Sequence, residues 1–494
     1  MERRVWRGIV AGAVAAIAAL AAMEIVAAVL GTVTIPDLLQ APLLAHLPGP
    51  VFGFLIDRLQ HWGKVTEEIG LLLLLVVVLA ALGGAAGALA SRVPASGLVA
   101  ALVAWLVLDG AILPLAGAGV LGAGHGLLEA ATTTLPFAVY GLLLQGLLAP
   151  RPGTGLDAGR RRALGLGAGL LGLFVIGVTR VPAWAQSLTT GGSGRGALVP
   201  ALTPASQFYI VSKNFTDPDV AAAGWRLRLS GLVGKPLTLT LPELRALPSV
   251  TETLTQECIS NQVGGDQIST GHFTGVRLRD LLARVAPQAD ATTLGFSASD
   301  GYTESMQLAA AQSDERVLVA YLLDGAPLPT EHGFPARLLV PAHYGMRGPK
   351  WLTGITVGRS APGGYWEQQG WDPSAPVQTT SRFDAPLDGA VLPIGAVLVG
   401  GIAFAADRGI QSVEWSTDGG TTWRPATLEA PLSPLTWVRW QATWHPPRAG
   451  SYRLAVRARD GKGTLQTSAV ANSFPSGATG LHEIDISIGS STSG

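Results

Sequence analysis

Cys258 is the only cysteine among the 494 residues of the chain. A single cysteine cannot form an intramolecular disulfide, so its thiol is an inert core group, a nucleophile or a ligand to a soft metal. The alternating stretch 251–258 predicts a strand that ends at this cysteine, and a loop containing Gly264 and Gly265 follows it. Because glycines let a bulky group come close to the backbone, this position favours a metal ligand over an inert core group.

Neighbouring strands and a helix must hold that loop in place. Leu278, Leu281, Leu282 and Val285 recur with the spacing of one helix face, so a helix is predicted shortly after the loop. Residues 225–241 contain two short stretches in which apolar and polar side chains alternate, and these predict strands. The central part of the chain is therefore expected to mix strands and helices.

The first 180 residues differ in composition from the rest of the chain. They contain long runs of Ala, Leu, Val and Gly, and a helix needs about 20 mostly apolar residues to cross a bilayer. Five predicted spans lie near 5–30, 69–90, 97–118, 126–149 and 163–179. Residues 1–180 are therefore predicted to form an all-α transmembrane bundle of five helices, followed by a linker at 181–205.

Arginines in the short loops predict the orientation of these spans, because such residues favour the cytoplasmic side. They precede the first span, separate the second from the third and precede the fifth: Arg3, Arg4, Arg7, Arg92, Arg160, Arg161 and Arg162. Alternating spans place them all on one side. We therefore predict a multi-pass protein of the cell (inner) membrane, with a cytoplasmic N-terminus and extracytoplasmic C-terminal domains.

The fifth predicted span has a second interpretation. The three arginines at 160–162, the apolar run after them and Ala183-Trp184-Ala185 resemble a twin-arginine export signal with its cleavage site. An uncleaved anchor and a signal remain alternatives for this segment. The overall charge is balanced, with 34 basic and 34 acidic residues, so nucleic acid is not an expected partner.

Beyond the linker, over roughly 206–485, the chain resembles the sulfite oxidase family of molybdopterin enzymes. The resembling stretches occur in the family's order: ECISN at 257–261, TGVRLRDLL at 274–282, SDGY at 299–302, YLLDGAPLPTEHGFPARLLVP at 321–341, YGMRGPKWL at 344–352 and GYWEQQGW at 364–371. The resemblance implies an α+β oxidoreductase domain, with expected bounds of 206–379, that carries a molybdenum–molybdopterin cofactor.

The resemblance also implies roles for single residues. Cys258 occupies the position of the thiolate that binds molybdenum. The matching cofactor-binding positions are Asn261, Asp300, His332, Arg337, Arg347 and Lys350. Arginine and lysine suit a buried phosphate, because they donate charge-assisted hydrogen bonds. Substrate is expected near His272, Tyr344 and Trp371, which together with Cys258 form the predicted catalytic set.

Three positions depart from the family's pattern. Gln262 follows the Asn of ECISN where the family has an arginine nearby, His272 lies where the family typically reads A-R-W, and Trp371 lies near the expected tyrosine. These departures leave fewer positive charges for a sulfite dianion. We therefore expect oxygen-atom transfer on a small extracytoplasmic substrate, with sulfite disfavoured. A sulfoxide-type reductase with the same cofactor is one alternative, and a cofactor-free, membrane-tethered binding or sensing module is another.

Such an enzyme must exchange electrons with a carrier. His46, His61 and His125 are the only histidines in the first 180 residues, and none lies at the centre of a predicted span, so a bis-histidine haem is not expected there. The chain shows no flavin or iron–sulfur motif. An external one-electron carrier, such as a cytochrome or a quinone-linked protein, is therefore the expected partner.

The last part of the chain, 380–489, is predicted to be all-β. Tyr452, Leu454, Val456 and Ala458 alternate with polar or small residues, and Asp418-Gly419-Gly420 is typical of a hairpin turn. This part resembles the immunoglobulin-like dimerisation domain that follows the cofactor domain in the same family. The resemblance implies an immunoglobulin-like sandwich and a homodimer.

Overall fold

The computed structural model of the protein describes residues 2–30, 32–48, 51, 54–55, 58–59, 62–115, 127–149, 197–214, 217–374 and 376–489. The chain divides into two compact units, one with the long apolar helices and the other with the strands. The fifth predicted span at 163–179 and the twin-arginine segment lie outside the described residues. The same holds for His61 and His125.

The first unit is helical. Its helices are α1 (Glu2–Leu30), α2 (Ile35–His46), α3 (Trp62–Leu89), α4 (Ser96–Val107), a π-helical turn (Leu108–Ile112) that leads into α5 (Leu113–Leu115), and α6 (Leu127–Leu148). Within the described ranges, four segments are long and apolar enough to cross a membrane: Glu2–Leu30, Val65–Leu89, Ser96–Leu115 and Ala130–Leu148. The prediction of several long apolar helices is thus confirmed, and the number of five stays a prediction.

Two sheets form the central part of the second unit. Their strands are β1 (Leu227–Gly231), β2 (Leu237–Leu239), β3 (Val250–Glu257), β4 (Ile268–Arg277), β5 (Thr293–Ala298), β6 (Thr303–Gln307), β7 (Leu318–Leu323), β8 (Ala326–Pro327), β9 (Arg337–Leu339) and β10 (Leu352–Gly358). The first sheet has the order β2-β1-β10-β5-β6, and the second has the order β3-β4-β7-β8 with β9 paired to β7. Only β1 and β10 pair in parallel among these strands.

Short helices accompany these two sheets. They are α7 (Leu241–Arg245), α8 (Leu278–Val285), α9 (Leu308–Ser313) and α10 (Tyr365–Gln368). In α8 the four apolar residues that predicted the helix are fully buried, and they pack in one core with the apolar side chains of β1 and β10. The predicted mixture of strands and helices, and the helix itself, are therefore confirmed.

The second sheet brings the end of β3 to the lone cysteine. Strands β3 and β4 pair over their full facing length, from Val250 opposite Gly275 to Glu257 opposite Ile268. Cys258 is therefore the first residue beyond the strand, as the sequence predicted. Its side chain packs with Phe208 and Phe273 in a small apolar cluster between this sheet and the segment that precedes β1.

The C-terminal part of the same unit contains two further sheets. Its strands are β11 (Thr380–Ala385), β12 (Val391–Pro393), β13 (Val397–Phe404), β14 (Ile410–Ser416), β15 (Arg424–Pro425), β16 (Thr427–Leu428), β17 (Val438–Trp444), β18 (Gly450–Asp460) and β19 (His482–Gly489). The orders are β11-β13-β17-β16 and β12-β19-β18-β14-β15, and side chains from both sheets share one core. The predicted hairpin is present, since β14 pairs with β15 across Gly419 and Gly420. Immunoglobulin-like classification of this part remains a prediction.

Candidate functional site

The site is built around the turn that follows β3. The Cys258 N–H donates a hydrogen bond of 2.9 Å to the Gln267 carbonyl oxygen, and the Asn261 N–H donates one of 3.0 Å to the Cys258 carbonyl oxygen. Cys258 is 9% exposed, and burial raises the pKa of its thiol. A thiolate at this position therefore needs a stabilising partner, and a bound metal ion is one that binds thiolate directly.

Asn261 holds the turn through both ends of its amide. Its Nδ2 donates to Glu257 Oε1 at 2.8 Å, and its Oδ1 accepts from the Gln267 N–H at 3.0 Å. The other carboxylate oxygen of Glu257, Oε2, is buried without a hydrogen-bond partner among the described residues, and burial raises the pKa of Glu257 to about 7. Asn261 therefore lies beside Cys258, where it fixes the loop that carries the thiol.

His332 and Arg337 lie beside the apolar cluster, through contact of His332 with Phe208. His332 ends the 3₁₀ turn Thr330–His332 and packs edge to face on Phe208, with 5.4 Å between the ring centroids. Arg337 opens β9 and donates from Nη1 to the His332 carbonyl oxygen at 3.2 Å. His332 Nε2 and Arg337 Nε are both buried without a hydrogen-bond partner in the part of the chain that the structure describes. Such atoms are rare in folded proteins and indicate a missing ligand or water.

The electrostatics of this pair favour an anion. Burial, together with the charges of Arg337 and Lys350, lowers the pKa of His332 to about 3, so its imidazole is neutral. Burial lowers the pKa of Arg337 to about 10, which still leaves it charged at neutral pH. Within the described ranges Arg337 forms no ion pair with a carboxylate. A buried cation of this kind is stabilised when an anionic ligand approaches it.

Lys350 lies close to the same pair. Its Nζ donates to the Glu331 carbonyl oxygen at 2.7 Å and lies 4.4 Å from the centre of the Trp351 ring. Gly333 makes the close approach possible, because a Cβ there would lie 3.0 Å from the Lys350 Cα. Its φ of +105° is also one that glycine adopts without strain. The local backbone thus brings two basic side chains to one place.

Phe208 and Tyr209 belong to this site, although the sequence reasoning did not identify them. Tyr209 is buried, and its pKa is raised by burial and by the charge of Cys258 and lowered by that of Arg337, so it lies near both residues. Its N–H donates to Ser269 Oγ at 3.0 Å. An aromatic pair in a segment without hydrophobic periodicity is the only sequence signal for these two positions.

Tyr344 is also close to the thiol. It is buried, and its pKa is raised by burial and further by the charges of Glu257 and Cys258. Its hydroxyl accepts a hydrogen bond of 3.0 Å from the Gln378 N–H. Tyr344 therefore lies in the surroundings of Cys258 and Glu257.

The structure does not bring His272 to the thiol. His272 faces Thr253 on the neighbouring strand, and its Nδ1 hydrogen-bonds the Thr253 hydroxyl at 2.8 Å. Thr253 lies five positions before Cys258, which corresponds to about 16 Å along a strand. Trp371 is buried against Phe474, with 5.2 Å between their rings. His272 and Trp371 therefore have Thr253 and Phe474 as partners.

Two further predicted cofactor contacts, Asp300 and Arg347, have partners elsewhere in the second unit. Asp300 lies in the turn between β5 and β6, where it accepts a hydrogen bond of 3.0 Å from the Tyr302 N–H. Arg347 forms ion pairs with Glu304, at 2.8 Å, and with Glu367. Burial raises the pKa of Glu304 to about 8, and the charge of Arg347 opposes this. Arg347 is thus held by two carboxylates.

The residues present fit a phosphate-bearing cofactor that brings its own metal. Among the described residues, no group of three or more His, Cys, Asp and Glu side chains is arranged to hold a metal ion. Cys258 offers one soft ligand, which suits a metal that is held within a cofactor. Arg337 Nε and His332 Nε2 are buried polar atoms without partners in the described part of the chain, and Lys350 adds positive charge.

Comparison with known proteins agrees with this chemistry. The family described as "Oxidoreductase molybdopterin binding domain" matches residues 214–366. Sulfite oxidase of Gallus gallus is 30% identical over 325 residues, which cover 55% of this chain and 69% of the relative. The chain spans just over half the length of the mammalian sulfite oxidases that it matches.

Two other comparisons are informative. A protein of Azospira oryzae named "Putative protein-methionine-sulfoxide reductase subunit YedZ1" is 37% identical over 154 residues, covering 31% of this chain and 56% of the relative. The crystal structure of the sulfane dehydrogenase SoxCD from Paracoccus pantotrophus covers 58% of this chain and 81% of its own chain, with a TM-score of 0.51 and 21% identity. At that identity the structural likeness concerns the fold alone.

Proposed function

Because the chain belongs to the sulfite oxidase family of molybdopterin-dependent oxidoreductases, we propose that it binds one molybdenum–molybdopterin through Cys258 and transfers an oxygen atom to or from a small substrate. One observation carries this proposal. The buried thiol of Cys258 shares an apolar cluster with Phe208 and Tyr209. Phe208 packs on His332, and the charge of Arg337 acts on Tyr209. His332 and Arg337 each have a buried nitrogen without a partner in the described chain.

The described residues divide the task of holding the cofactor. Cys258 would supply its sulfur to the metal, and Arg337 would donate its Nε–H to the phosphate. His332 Nε2 would meet a polar atom of the pterin, while Lys350 adds positive charge at the same place. Asn261 would act by fixing the loop, since both ends of its amide are already bonded to the chain.

Asp300 and Arg347 remain proposed cofactor contacts. Arg347 would reach a phosphate only by giving up part of its pairing with Glu304 and Glu367. Because Glu304 is 2% exposed, an ionised carboxylate left there alone would be strongly destabilised. We therefore assign the first phosphate contact to Arg337 and regard Arg347 as the less direct one.

When bound, the molybdenum supplies the two-electron oxygen transfer, with water as the oxygen source or product. The chain's own part is to orient the substrate and exclude water. We propose Tyr344 as the substrate-facing residue, because it is buried and the charge of Cys258 contributes to the rise of its pKa. Trp371 stays a proposal on the resemblance alone.

We propose a substrate other than sulfite. A sulfite dianion is bound best by fixed positive charges. Arg347 is already paired with Glu304 and Glu367, and His272 lies about 16 Å along the strand from Cys258. Arg337 and Lys350 are needed for the cofactor phosphate. Few cations are left to hold a dianion at the metal.

A sulfoxide-type reductase is the second candidate. The Azospira oryzae relative, whose name carries methionine-sulfoxide reduction, supports it, because a sulfoxide is neutral and needs no cluster of cations. Oxidation and reduction use the same cofactor in opposite directions. A screen with an artificial electron carrier, run in both directions with sulfite, sulfoxides and related small oxyanions, distinguishes these functions.

The remaining arrangement is also part of the proposal. The four apolar helices support attachment to a membrane, and we propose the cell (inner) membrane with the strand-containing unit outside the cytoplasm. An external cytochrome or quinone-linked carrier would exchange the electrons one at a time. Residues 206–379 would form the cofactor domain, and residues 380–489 an immunoglobulin-like domain through which two chains form a homodimer.

Metal analysis tests the proposal directly. The full chain, expressed in a host that makes the cofactor, is expected to contain about one molybdenum per chain. Cys258→Ser is expected to remove the metal and the activity while thermal unfolding changes little. Ser313→Ala, an exposed substitution at the end of α9, is the control. A wild-type chain that folds but contains no molybdenum would instead support the cofactor-free binding or sensing module.

A further inference from the structure

Ser260 lies two positions beyond Cys258, and its hydroxyl faces the thiol. Ser260 Oγ lies 3.0 Å from Cys258 Sγ and 3.0 Å from Gln267 Oε1. Cys258 and Gln267, the two residues at the ends of this row, are also joined through the backbone, because the Cys258 N–H donates to the Gln267 carbonyl oxygen at 2.9 Å. The thiol, the hydroxyl and the amide therefore form one continuous hydrogen-bonded row.

The direction of these hydrogen bonds depends on the state of the sulfur. A serine hydroxyl has one hydrogen and donates to one partner at a time. When Cys258 is a thiol, it donates to Ser260 Oγ, and Ser260 donates to Gln267 Oε1. When Cys258 is a thiolate, the sulfur only accepts, so Ser260 must donate to it. Gln267 then has to rotate its amide and donate from Nε2 to Ser260 Oγ.

Glutamine suits both states, because its amide carries a donor and an acceptor on one rotatable group. An ionised glutamate at this position could only accept a hydrogen bond from Ser260, in either state of the sulfur. A methionine would not provide the hydrogen-bond donor. The oxygen and nitrogen of such an amide exchange places by a simple rotation. The pairing of Ser260 with Gln267 therefore keeps the Ser260 hydroxyl hydrogen-bonded on both sides before and after the metal binds.

We propose that Ser260 and Gln267 form a reversible hydrogen-bond relay that holds Cys258 as the metal-bound thiolate and raises the reduction potential of the molybdenum. The inference rests on the proposed function. A hydrogen bond to a ligand sulfur draws electron density away from the metal and favours its reduced state, and such outer contacts are known to set metal potentials. Ser260 is in this sense a positioning residue.

A purely structural role for Ser260 is less well supported by the geometry. The loop is already held by Asn261, whose side chain bonds both Glu257 and Gln267, and by the bond from the Gly265 N–H to the Gln262 carbonyl oxygen. Bracing the loop does not require a hydroxyl directed at the sulfur. The 3.0 Å approach of Ser260 Oγ to Cys258 Sγ is what the relay explains.

The test compares three variants of the full chain loaded with cofactor. Ser260→Ala removes the donor, Ser260→Thr keeps a hydroxyl, and Gln267→Glu keeps the acceptor but removes the amide donor. The readouts are molybdenum content, the sulfur-to-molybdenum charge-transfer absorption and the midpoint potential of the metal by redox titration. Ser313→Ala serves as the matched control, because it is the same substitution on an exposed helix end.

Ser260→Ala is expected to raise the ratio of oxidised to reduced metal about tenfold at a fixed applied potential. This corresponds to a midpoint potential lower by ~59 mV for a one-electron couple. Its charge-transfer band is expected to shift as well. Gln267→Glu should lower the potential in the same direction, whereas Ser260→Thr and Ser313→Ala should stay close to the wild type.

A fully loaded Ser260→Ala variant with the wild-type potential and absorption would overturn the relay while leaving the proposed function intact. If Ser260→Ala fails to take up the cofactor, the Gln267→Glu variant decides, because it keeps the Ser260 hydroxyl. A lowered midpoint potential of the metal in Gln267→Glu supports the relay, and an unchanged potential overturns it. A wild-type chain without molybdenum would overturn the proposed function and the relay together, and metal content separates that outcome from the others.

Discussion

The imidazole ring of His482 lies directly against Gly264, in the loop that follows Cys258. A side chain on Gly264 would overlap the ring, and the φ of +77° at Gly264 is one that glycine adopts without strain. Arg382, on β11, donates from Nη1 to the Gly265 carbonyl oxygen in the same loop. The C-terminal β part therefore helps to hold the loop that presents the thiol.

Gly264→Ala is expected to destabilise the protein and to weaken cofactor binding. The substitution adds backbone strain of about 1 kcal/mol, and overlap with the His482 ring adds about 1–3 kcal/mol. Gly301→Ala is the matched control, because Gly301 has the same φ of +77° but nothing within 4 Å of an added Cβ. Chemical denaturation and molybdenum content measure both effects. Equal losses in the two variants would mean that the His482 contact contributes nothing.

His482 is expected to make stability fall in mildly acidic solution. Burial, and then the charge of Arg382, lowers its pKa to about 4, and its Nδ1 accepts a hydrogen bond from the Phe383 N–H at 3.0 Å. In the unfolded chain its pKa is near 6.5, the ordinary value for histidine. Below that pH the unfolded state takes up a proton that folded His482 does not bind until about pH 4. Its contribution is therefore complete above about pH 6.5 and is lost as the pH falls toward 4.

This dependence is measured as the free energy of unfolding at pH 7 and pH 5 in the wild type and in His482→Gln. Glutamine keeps an acceptor for the Phe383 N–H but does not titrate. Other groups titrate equally in both proteins, so the difference between them isolates His482. The wild type should lose more stability between the two pH values than the variant does, and identical losses would contradict the prediction.

Tyr344 and His272 are expected to differ in their effect on turnover. Tyr344 shares the surroundings of Cys258, so Tyr344→Phe should lower kcat/KM by about tenfold, which is 1.4 kcal/mol of transition-state stabilisation. His272→Asn should leave kcat/KM within about twofold, because His272 lies about 16 Å along β3 and β4 from the thiol. Steady-state kinetics with molybdenum content measured on the same samples compares them. A larger loss in the His272 variant would contradict this arrangement.

The local elements of the site were predictable from the sequence, and its long-range contacts were not. The end of β3 at Cys258 and the helix with Leu278 and Leu282 follow from alternation and helical spacing over a few residues. Contacts between Gly264 and His482 join positions more than 200 residues apart. No periodicity specifies which distant side chain will meet a loop.

The resemblance to the family predicted the residue types of the site, but it did not predict their ion-pair partners. It placed His332 and Arg337 together, and each of them has a buried nitrogen that finds no partner in the described ranges. It also assigned Arg347 to the cofactor, whereas the folded chain pairs Arg347 with Glu304 and Glu367. A motif identifies the residue type at a position. The carboxylates that pair with Arg347, on β6 and α10, are brought to it only by tertiary packing.

Close backbone contact between α1 and α3 carries the last prediction. A Cβ added to Gly83 would lie 2.6 Å from the Cα of Gly12, so the two helices touch through their glycines. Apolar side chains gain little from contact with each other in lipid, and small residues that allow close approach stabilise such pairs. Gly83→Leu should therefore separate the helices and destabilise the helical unit by about 1–3 kcal/mol.

Gly70→Leu is the matched control for this substitution. Gly70 lies in the same helix, α3, and nothing lies within 4 Å of a Cβ added there. Heating the full chain in detergent and measuring the fraction that remains monodisperse by size-exclusion chromatography compares the variants. Gly83→Leu should lose monodisperse protein at a lower temperature than the wild type and Gly70→Leu, because only its side chain must displace the backbone of α1. Equal behaviour of the two leucine variants would show that the helices separate at no measurable loss of stability.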